Sequence, residues 1–111
     1  MNVSQTRHGA VTVLKPEGPL IGAGAGEFAS HAQEVLRERL GRFVVDASAI
    51  SHVDSAGLEA LVDTTRTLSD SGQSLRLCGA NETLREVLDL TDLSGLFEHY
   101  EDVGTAVRSF L

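Results

Sequence analysis

Short apolar runs alternate with segments of helical periodicity along most of the chain, and this alternation restricts the possible folds more than any other feature. A hairpin is predicted over residues 3–7 and 10–15, with its turn at His8-Gly9, and Pro16 and Pro19 are predicted to end its pairing. The later segments follow in the order helix 27–40, strand 42–46, helix 55–72, strand 74–78, a helix capped by Asn81, strand 96–100 and helix 103–110. This order is typical of an α/β domain with a largely parallel sheet.

Glycines mark two further boundaries. Gly41 is predicted to end the first helix, in the usual C-terminal position. The segment 22–26, GAGAG, is predicted to be a flexible loop that leads into that helix. It lacks the Gly-Lys-Ser/Thr ending of a phosphate loop, and its spacing after Pro19 does not match a dinucleotide fingerprint.

Composition and charge narrow the classes of partner. The chain has 111 residues, 41% hydrophobic and 23% charged, which fits one globular domain, and its formal net charge is −7. An acidic surface of this kind repels nucleic acid and anionic lipid. No run resembles a signal peptide or approaches the ~20 apolar residues that span a bilayer, so we expect a cytoplasmic protein without direct membrane insertion.

Catalytic and metal sites find little support in the sequence. The four histidines are scattered without metal-site spacing. A hydrolase nucleophile at Ser55 would require glycine two residues earlier, where Val53 stands. Asp46 and Asp54 each follow an apolar stretch and are expected to cap local structure, and Cys78 is expected to be a small buried hydrophobe. We therefore predict no catalytic residue, metal or cofactor.

The segment 52–61, HVDSAGLEAL, carries the most specific local signal. Either Asp54 or Ser55 can cap the helix that begins there, because a side-chain oxygen accepts from the free N–H groups of the first turn. The same free amides tolerate an anion, so the fold would accept a phosphate on Ser55. A phosphate adds about −1.5 to −2 charge and would alter docking without unfolding the protein. Spacing by itself favours a cap and nothing more.

A longer segment that contains this motif resembles a known family. Residues 44–58, VVDASAISHVDSAGL, are similar to the signature of STAS domains, especially bacterial anti-sigma factor antagonists. The resemblance continues through residues 75–78 and 84–97 and covers nearly the whole chain, from about residue 3 to residue 110.

The resemblance implies both a fold and a function. The fold is a single STAS-type α/β domain over residues 1–111, with a mixed, mostly parallel five-stranded sheet and about four helices, packed mainly on one side. The function is partner switching. The unphosphorylated protein binds an anti-sigma factor that is also a serine kinase, and so releases the sigma factor. A PP2C-type phosphatase, dependent on Mn²⁺ or Mg²⁺, reverses the phosphorylation, and the protein is a monomer until it meets its partner.

The resemblance also assigns residues. The phosphorylated serine corresponds to Ser55, and partner binding is expected at Asp54, Ser55, Ala56, Gly57 and Glu59. Gly57 is expected to allow a close backbone approach at the first turn of the helix.

Three features depart from the commonest family pattern. Ala56 replaces a frequent second hydroxyl, residues 22–26 are unusually rich in glycine, and Asp92 occupies a turn position that often holds glycine.

Two other functions stay open. STAS domains also serve as subunits of membrane transport complexes, such as lipid-type ABC transporters, where they dock on the ATPase. The intact Asp54-Ser55 pair favours the antagonist over this alternative. A small hydrolase that uses Ser55 is disfavoured because the elbow glycine and a placed base are missing.

Overall fold

The computed structural model describes residues 1–39 and 42–111. The predictions that the first helix extends to Leu40 and ends at Gly41 lie outside the described residues. The elements, in chain order, are β1 (Asn2–His8), β2 (Val11–Glu17), α1 (Gly22–Arg39), β3 (Phe43–Asp46), α2 (Ser55–Ser69), β4 (Leu75–Cys78), α3 (Glu82–Leu90), a 3₁₀ turn (Ser94–Leu96), β5 (Phe97–Tyr100) and α4 (Val103–Arg108).

The five strands form one mixed sheet in the order β1-β2-β3-β4-β5. β1 and β2 pair antiparallel through the hairpin, and the three pairs from β2 to β5 are parallel. Parallel neighbours require crossover connections, which α1, α2 and α3 supply. The predicted mixed, mostly parallel five-stranded sheet is therefore confirmed.

The two faces of the sheet support cores of unequal size. Successive strand residues point to opposite faces, so Val45 joins the larger core and Val44 the smaller one. Helices α1, α2 and α3 cover the larger core, and α4 covers the smaller one. Large, fully buried side chains of the larger core include Leu14, Leu20, Phe28, Phe43, Ile50, Leu61, Leu77, Leu84 and Leu88.

Arg76 connects β4 to the two residues that follow the C-terminal helix, which itself packs on the smaller core. The guanidinium of Arg76 lies 3.7 Å from the ring centroid of Phe110, and its Nε donates to Ser109 Oγ at 2.7 Å. Cys78 lies fully buried under this helix, as predicted. Burial, and then the nearby charges of Asp46 and Asp102, raises the pKa of the Cys78 thiol to about 12. The thiol is therefore protonated and inert at neutral pH.

Two predictions about the start of α1 and the end of β2 are wrong. The segment 22–26 is not a flexible loop, because α1 begins at Gly22, five residues before the predicted start at Glu27. Ala25 within it is buried against the core, so tertiary packing overrides the low helix propensity of glycine. Pro16 does not end pairing, since it lies opposite Val3 in the β1–β2 ladder.

The position of Pro16 has a simple explanation in the sheet register. The N–H of Thr12 points toward β3, where it donates to the Arg42 carbonyl, and residue 16 points its nitrogen the same way. The β2–β3 pairing ends at Leu14, so β3 requires no donor at residue 16. Proline is tolerated in a strand where no ladder bond is lost.

The predicted cap and turn residues are confirmed. Asn81 Oδ1 accepts from the N–H of Leu84 at 2.8 Å and caps α3. Asp92, after α3, has φ of 60°, the left-handed conformation that aspartate tolerates better than most residues. Among the described residues, no helix is both long and apolar enough to cross a membrane.

A buried hydroxyl on β2 generates a stability prediction. Thr12 is 0% exposed, and its Oγ1 has no hydrogen-bond partner among the described residues. Thr12→Val removes this unpaired group at nearly constant volume, so we expect the free energy of unfolding to rise by about 1 kcal/mol in urea titrations.

Thr65→Val is the matched control. Its buried hydroxyl donates to the Leu96 carbonyl at 2.7 Å and accepts from the Leu75 N–H at 3.0 Å. The same substitution should there lower stability by about 1–3 kcal/mol. Equal effects at the two threonines would contradict the assignment of Thr12 as unpaired.

Candidate functional site

Two loops meet at the edge of the sheet where the parallel strands end. The loop between β2 and α1 runs alongside the loop between β3 and α2. The N–H of Gly18 donates to the Ala49 carbonyl at 2.9 Å, and that of Leu20 to the His52 carbonyl at 3.0 Å. Leu20 also forms an isolated parallel bridge with Val53. The two loops therefore extend the sheet pairing and support the start of both helices.

The carboxylate of Asp54 joins the N-termini of α1 and α2. Its Oδ1 accepts from the N–H of Gly57 at 2.9 Å, which caps α2, and its Oδ2 accepts from the N–H of Gly22 at 3.1 Å, at the start of α1. The bond to Gly57 contributes most to lowering the pKa of the Asp54 carboxyl, and the bond to Gly22 adds to it. Asp54 is therefore ionised at neutral pH.

Gly57 lets the first turn of α2 pack directly against the backbone of the neighbouring loop. A Cβ built on Gly57 would lie 2.0 Å from the carbonyl oxygen of Leu20 and 3.2 Å from the Cβ of Val53. The close backbone approach expected at this residue is therefore present, and it is a packing requirement of the fold.

Asn81 ties a third loop to the same edge. While its Oδ1 caps α3, its Nδ2 donates to the carbonyls of Ile50 and Ser51 at 3.0 and 3.3 Å. The sequence indicated only the cap. The hydrogen bonds from Nδ2 depend on two loops that are adjacent in space, and no local sequence pattern predicts them.

Ser55 is the first residue of α2, and its side chain is exposed. Because Asp54 accepts the capping bond, the hydroxyl of Ser55 is not needed for it. Its Oγ makes no hydrogen bond to any part of the protein that the structure describes. The structure thus resolves which of the two candidate residues is the cap, and the other is left accessible to solvent.

The remaining predicted site residues follow along the first turns of α2. Ala56 is half-buried against the core, Gly57 is buried, and Glu59 is exposed. Asp46 lies apart from them, and its Oδ1 accepts from the Ser48 N–H at 3.0 Å, as a local cap. Of the five predicted partner-binding residues, Asp54, Ser55 and Glu59 are therefore the exposed ones.

Within residues 1–39 and 42–111, no histidine is hydrogen-bonded to the hydroxyl of Ser55. The nearest histidine in sequence, His52, places its Nδ1 3.3 Å from Ser51 Oγ, so its hydrogen bond goes to a different serine. Across residues 1–39 and 42–111, no group of three or more His, Cys, Asp or Glu side chains is arranged to hold a metal ion.

Comparison with known proteins gives a family and a fold. The STAS domain family model matches residues 2–106. A proposed anti-sigma factor antagonist from Thermotoga maritima is 24% identical, with a TM-score of 0.87, covering 96% of this chain and 92% of that one.

Two further structures have the same fold at lower identity. Phosphorylated SpoIIAA, a Bacillus cell fate determinant, is 13% identical, with a TM-score of 0.77 and coverage of 99% and 100%. A sulfate transporter family protein from Wolinella succinogenes is 18% identical, with a TM-score of 0.72 and coverage of 90% and 84%. At these identities, structural similarity demonstrates a common fold and no common function.

The close contact at Gly57 predicts a large loss of stability on substitution. In Gly57→Ala, the new methyl group meets the rigid carbonyl of Leu20, so the start of α2 must move. We expect the free energy of unfolding to fall by about 2–3 kcal/mol, measured by urea denaturation. Gly95→Ala is the control, because a Cβ there has no neighbour within 4 Å; a similar loss in both variants would contradict the steric explanation.

The lowered pKa of Asp54 predicts how its contribution depends on pH. A carboxylate whose pKa is lower in the folded protein than in the unfolded chain stabilises the fold. That stabilisation is fully present above the unfolded-state pKa of 3.8, and it is lost as the pH falls through the folded-state pKa. We therefore expect Asp54→Asn to be less stable than the wild type at pH 7, with the difference shrinking below pH 3.8. Thermal unfolding of both proteins across this range measures it, and a difference that grows on acidification would contradict the assignment.

Proposed function

The chain belongs to the STAS domain family, and on that premise we propose that it is an anti-sigma factor antagonist controlled by phosphorylation of Ser55. In the unphosphorylated state it binds an anti-sigma factor that is also a serine kinase, through a surface formed by Asp54, Ser55, Ala56 and Glu59, with the buried Gly57 supporting it from beneath. That binding releases the sigma factor. Phosphorylation of Ser55 ends the interaction, and a PP2C-type phosphatase restores it.

The observation that supports this proposal most directly is the free hydroxyl of Ser55. A kinase must reach its acceptor and orient it toward the γ-phosphate of ATP, so a buried or bonded hydroxyl is a poor substrate. Ser55 is exposed, and Asp54 takes over the capping that would otherwise engage it. The hydroxyl is thus held at the start of a capped helix while it remains available for chemistry.

A phosphate at this position would change recognition and leave the core in place. Ser55 lies outside both hydrophobic clusters, and the first amides of α2 favour an anion near them. A partner that covered the phosphate would have to remove the water around a dianion, at a cost of several kcal/mol. A basic residue at an exposed rim returns only about 0–1 kcal/mol. Desolvation therefore outweighs attraction, and phosphorylation releases the partner.

A transport subunit that docks on an ATPase is the second candidate, and the fold of the Wolinella sulfate transporter family protein is compatible with it. Such a subunit does not require a free hydroxyl at the start of α2. The neighbouring genes distinguish the two candidates, since a serine kinase with a histidine-kinase-like ATPase fold supports the antagonist, and a permease with an ATPase supports the subunit.

Phosphate transfer to Ser55 is tested by substitution. We expect the purified protein to be labelled when it is mixed with ATP and the partner kinase, and Ser55→Ala to abolish labelling because the acceptor oxygen is gone. Ser51→Ala, at an exposed serine of the loop that precedes α2, should be labelled as the wild type is. In a separate calorimetric titration, Ser55→Asp should bind the kinase about 5- to 150-fold more weakly, on the order of 1–3 kcal/mol. Undiminished labelling of Ser55→Ala would refute the assignment.

A further inference from the structure

A shallow groove runs between α1 and α2, beginning beside the switch serine. Its volume is about 240 Å³. Alanines from both helices, among them Ala25 and Ala60, line it, and Ala56 lines it next to Ser55. Both Ala25 and Ala60 are buried, so the floor of the groove is the outer surface of the α1–α2 contact.

Gly26 lines the same groove and has no structural reason to be glycine. It lies inside α1, where glycine is less favourable than alanine. Its φ is not positive, and a Cβ built there meets nothing within 4 Å. Gly57 is the opposite case, because a side chain there would clash with the backbone of Leu20. A destabilising glycine in open space is explained if a group from outside the chain approaches the helix backbone at that point.

The α2 side of the groove is acidic. Glu59 and Asp63 line it one helical turn apart, and both side chains are exposed. Neither forms an ion pair with any residue in 1–39 or 42–111, although Arg66 is only three residues beyond Asp63. Like charges at this spacing slightly destabilise a helix, and cations from a partner would relieve the repulsion.

We propose that this groove accepts a helix of the partner kinase, with a small apolar residue packed on Gly26 and Lys or Arg residues facing Glu59 and Asp63. This proposal rests on the proposed function for the identity of the partner, and it extends the docking surface beyond the Ser55 loop to the α1–α2 seam. Ala56 lines the end of the groove that lies nearest to Ser55, so a phosphate on Ser55 would lie beside that end. A helix seated in the groove would have to displace the water of that phosphate, which connects the switch to the groove.

The test uses a substitution that should improve folding and impair binding. We expect Gly26→Ala to move the urea midpoint upward, since alanine favours the helix and meets no neighbour. We expect the same variant to bind the kinase at least tenfold more weakly by calorimetry, because the methyl group occupies the contact surface. The probes are the ATP-binding serine kinases of this class from the same genome, each measured against the full-length chain.

Two further variants separate packing from charge. Gly95→Ala, at another exposed glycine with open space around it, should bind as the wild type does. Glu59→Gln combined with Asp63→Asn should weaken binding about tenfold and reduce its dependence on salt, since two charge pairs are lost.

The outcomes distinguish this proposal from the one on which it rests. If the wild type binds a kinase, Ser55→Asp does not, and Gly26→Ala binds as tightly as the wild type, then the groove proposal is wrong and the switch stands. If the wild type binds none of these kinases, the proposed function is wrong and the groove proposal fails with it. The groove proposal is supported if Gly26→Ala becomes more stable but binds the kinase more weakly. Gly95→Ala must in the same experiment bind the kinase as the wild type does.

Discussion

One carboxylate organises the functional edge of this molecule. Asp54 accepts an N–H from the first turn of α2 and another from the start of α1, so two crossover helices begin at positions fixed by a single side chain. The pairing of the two supporting loops holds that side chain in place, and the missing Cβ of Gly57 lets α2 come against the Leu20 backbone. Because Asp54 caps α2, the adjacent hydroxyl of Ser55 is not needed for capping.

This division between neighbouring residues suits a chemical switch. Asp54 maintains the local backbone, and the phosphate that we propose on Ser55 would lie outside both cores. Asp54 is ionised at neutral pH, so both of its hydrogen bonds, to Gly57 and to Gly22, have a charged acceptor. A switch built this way acts on the energy of covering a surface, which is a matter of desolvation, and not on the stability of the fold beneath it.

The groove between α1 and α2 shows a related compromise. Helix α1 packs toward α2 through the buried Ala25, yet holds an unobstructed glycine at the next position, so it is less stable than its own fold permits. The same seam presents two exposed carboxylates without a cation of this chain to pair them, within the residues that the structure describes. Both features are unfavourable for the isolated protein and favourable for a basic helix that lies along the seam.

Local signals in the sequence determined the order of the elements, the parallel character of the sheet, the cap of α3, the burial of Cys78 and the turn at Asp92. These depend on periodicity and on contacts within about four residues, which a linear pattern records. The motif around Ser55 also limited the cap of α2 to two adjacent residues. Only the tertiary structure decided between them, because Asp54 bonds at once to its own helix and to Gly22, 32 residues away. The same long-range packing made a helix of residues 22–26, allowed Pro16 inside a strand, tied Asn81 to the loop before α2 and opened the groove at Gly26. Each of these depends on which segments become neighbours in space, and residue types along the chain do not specify that by themselves.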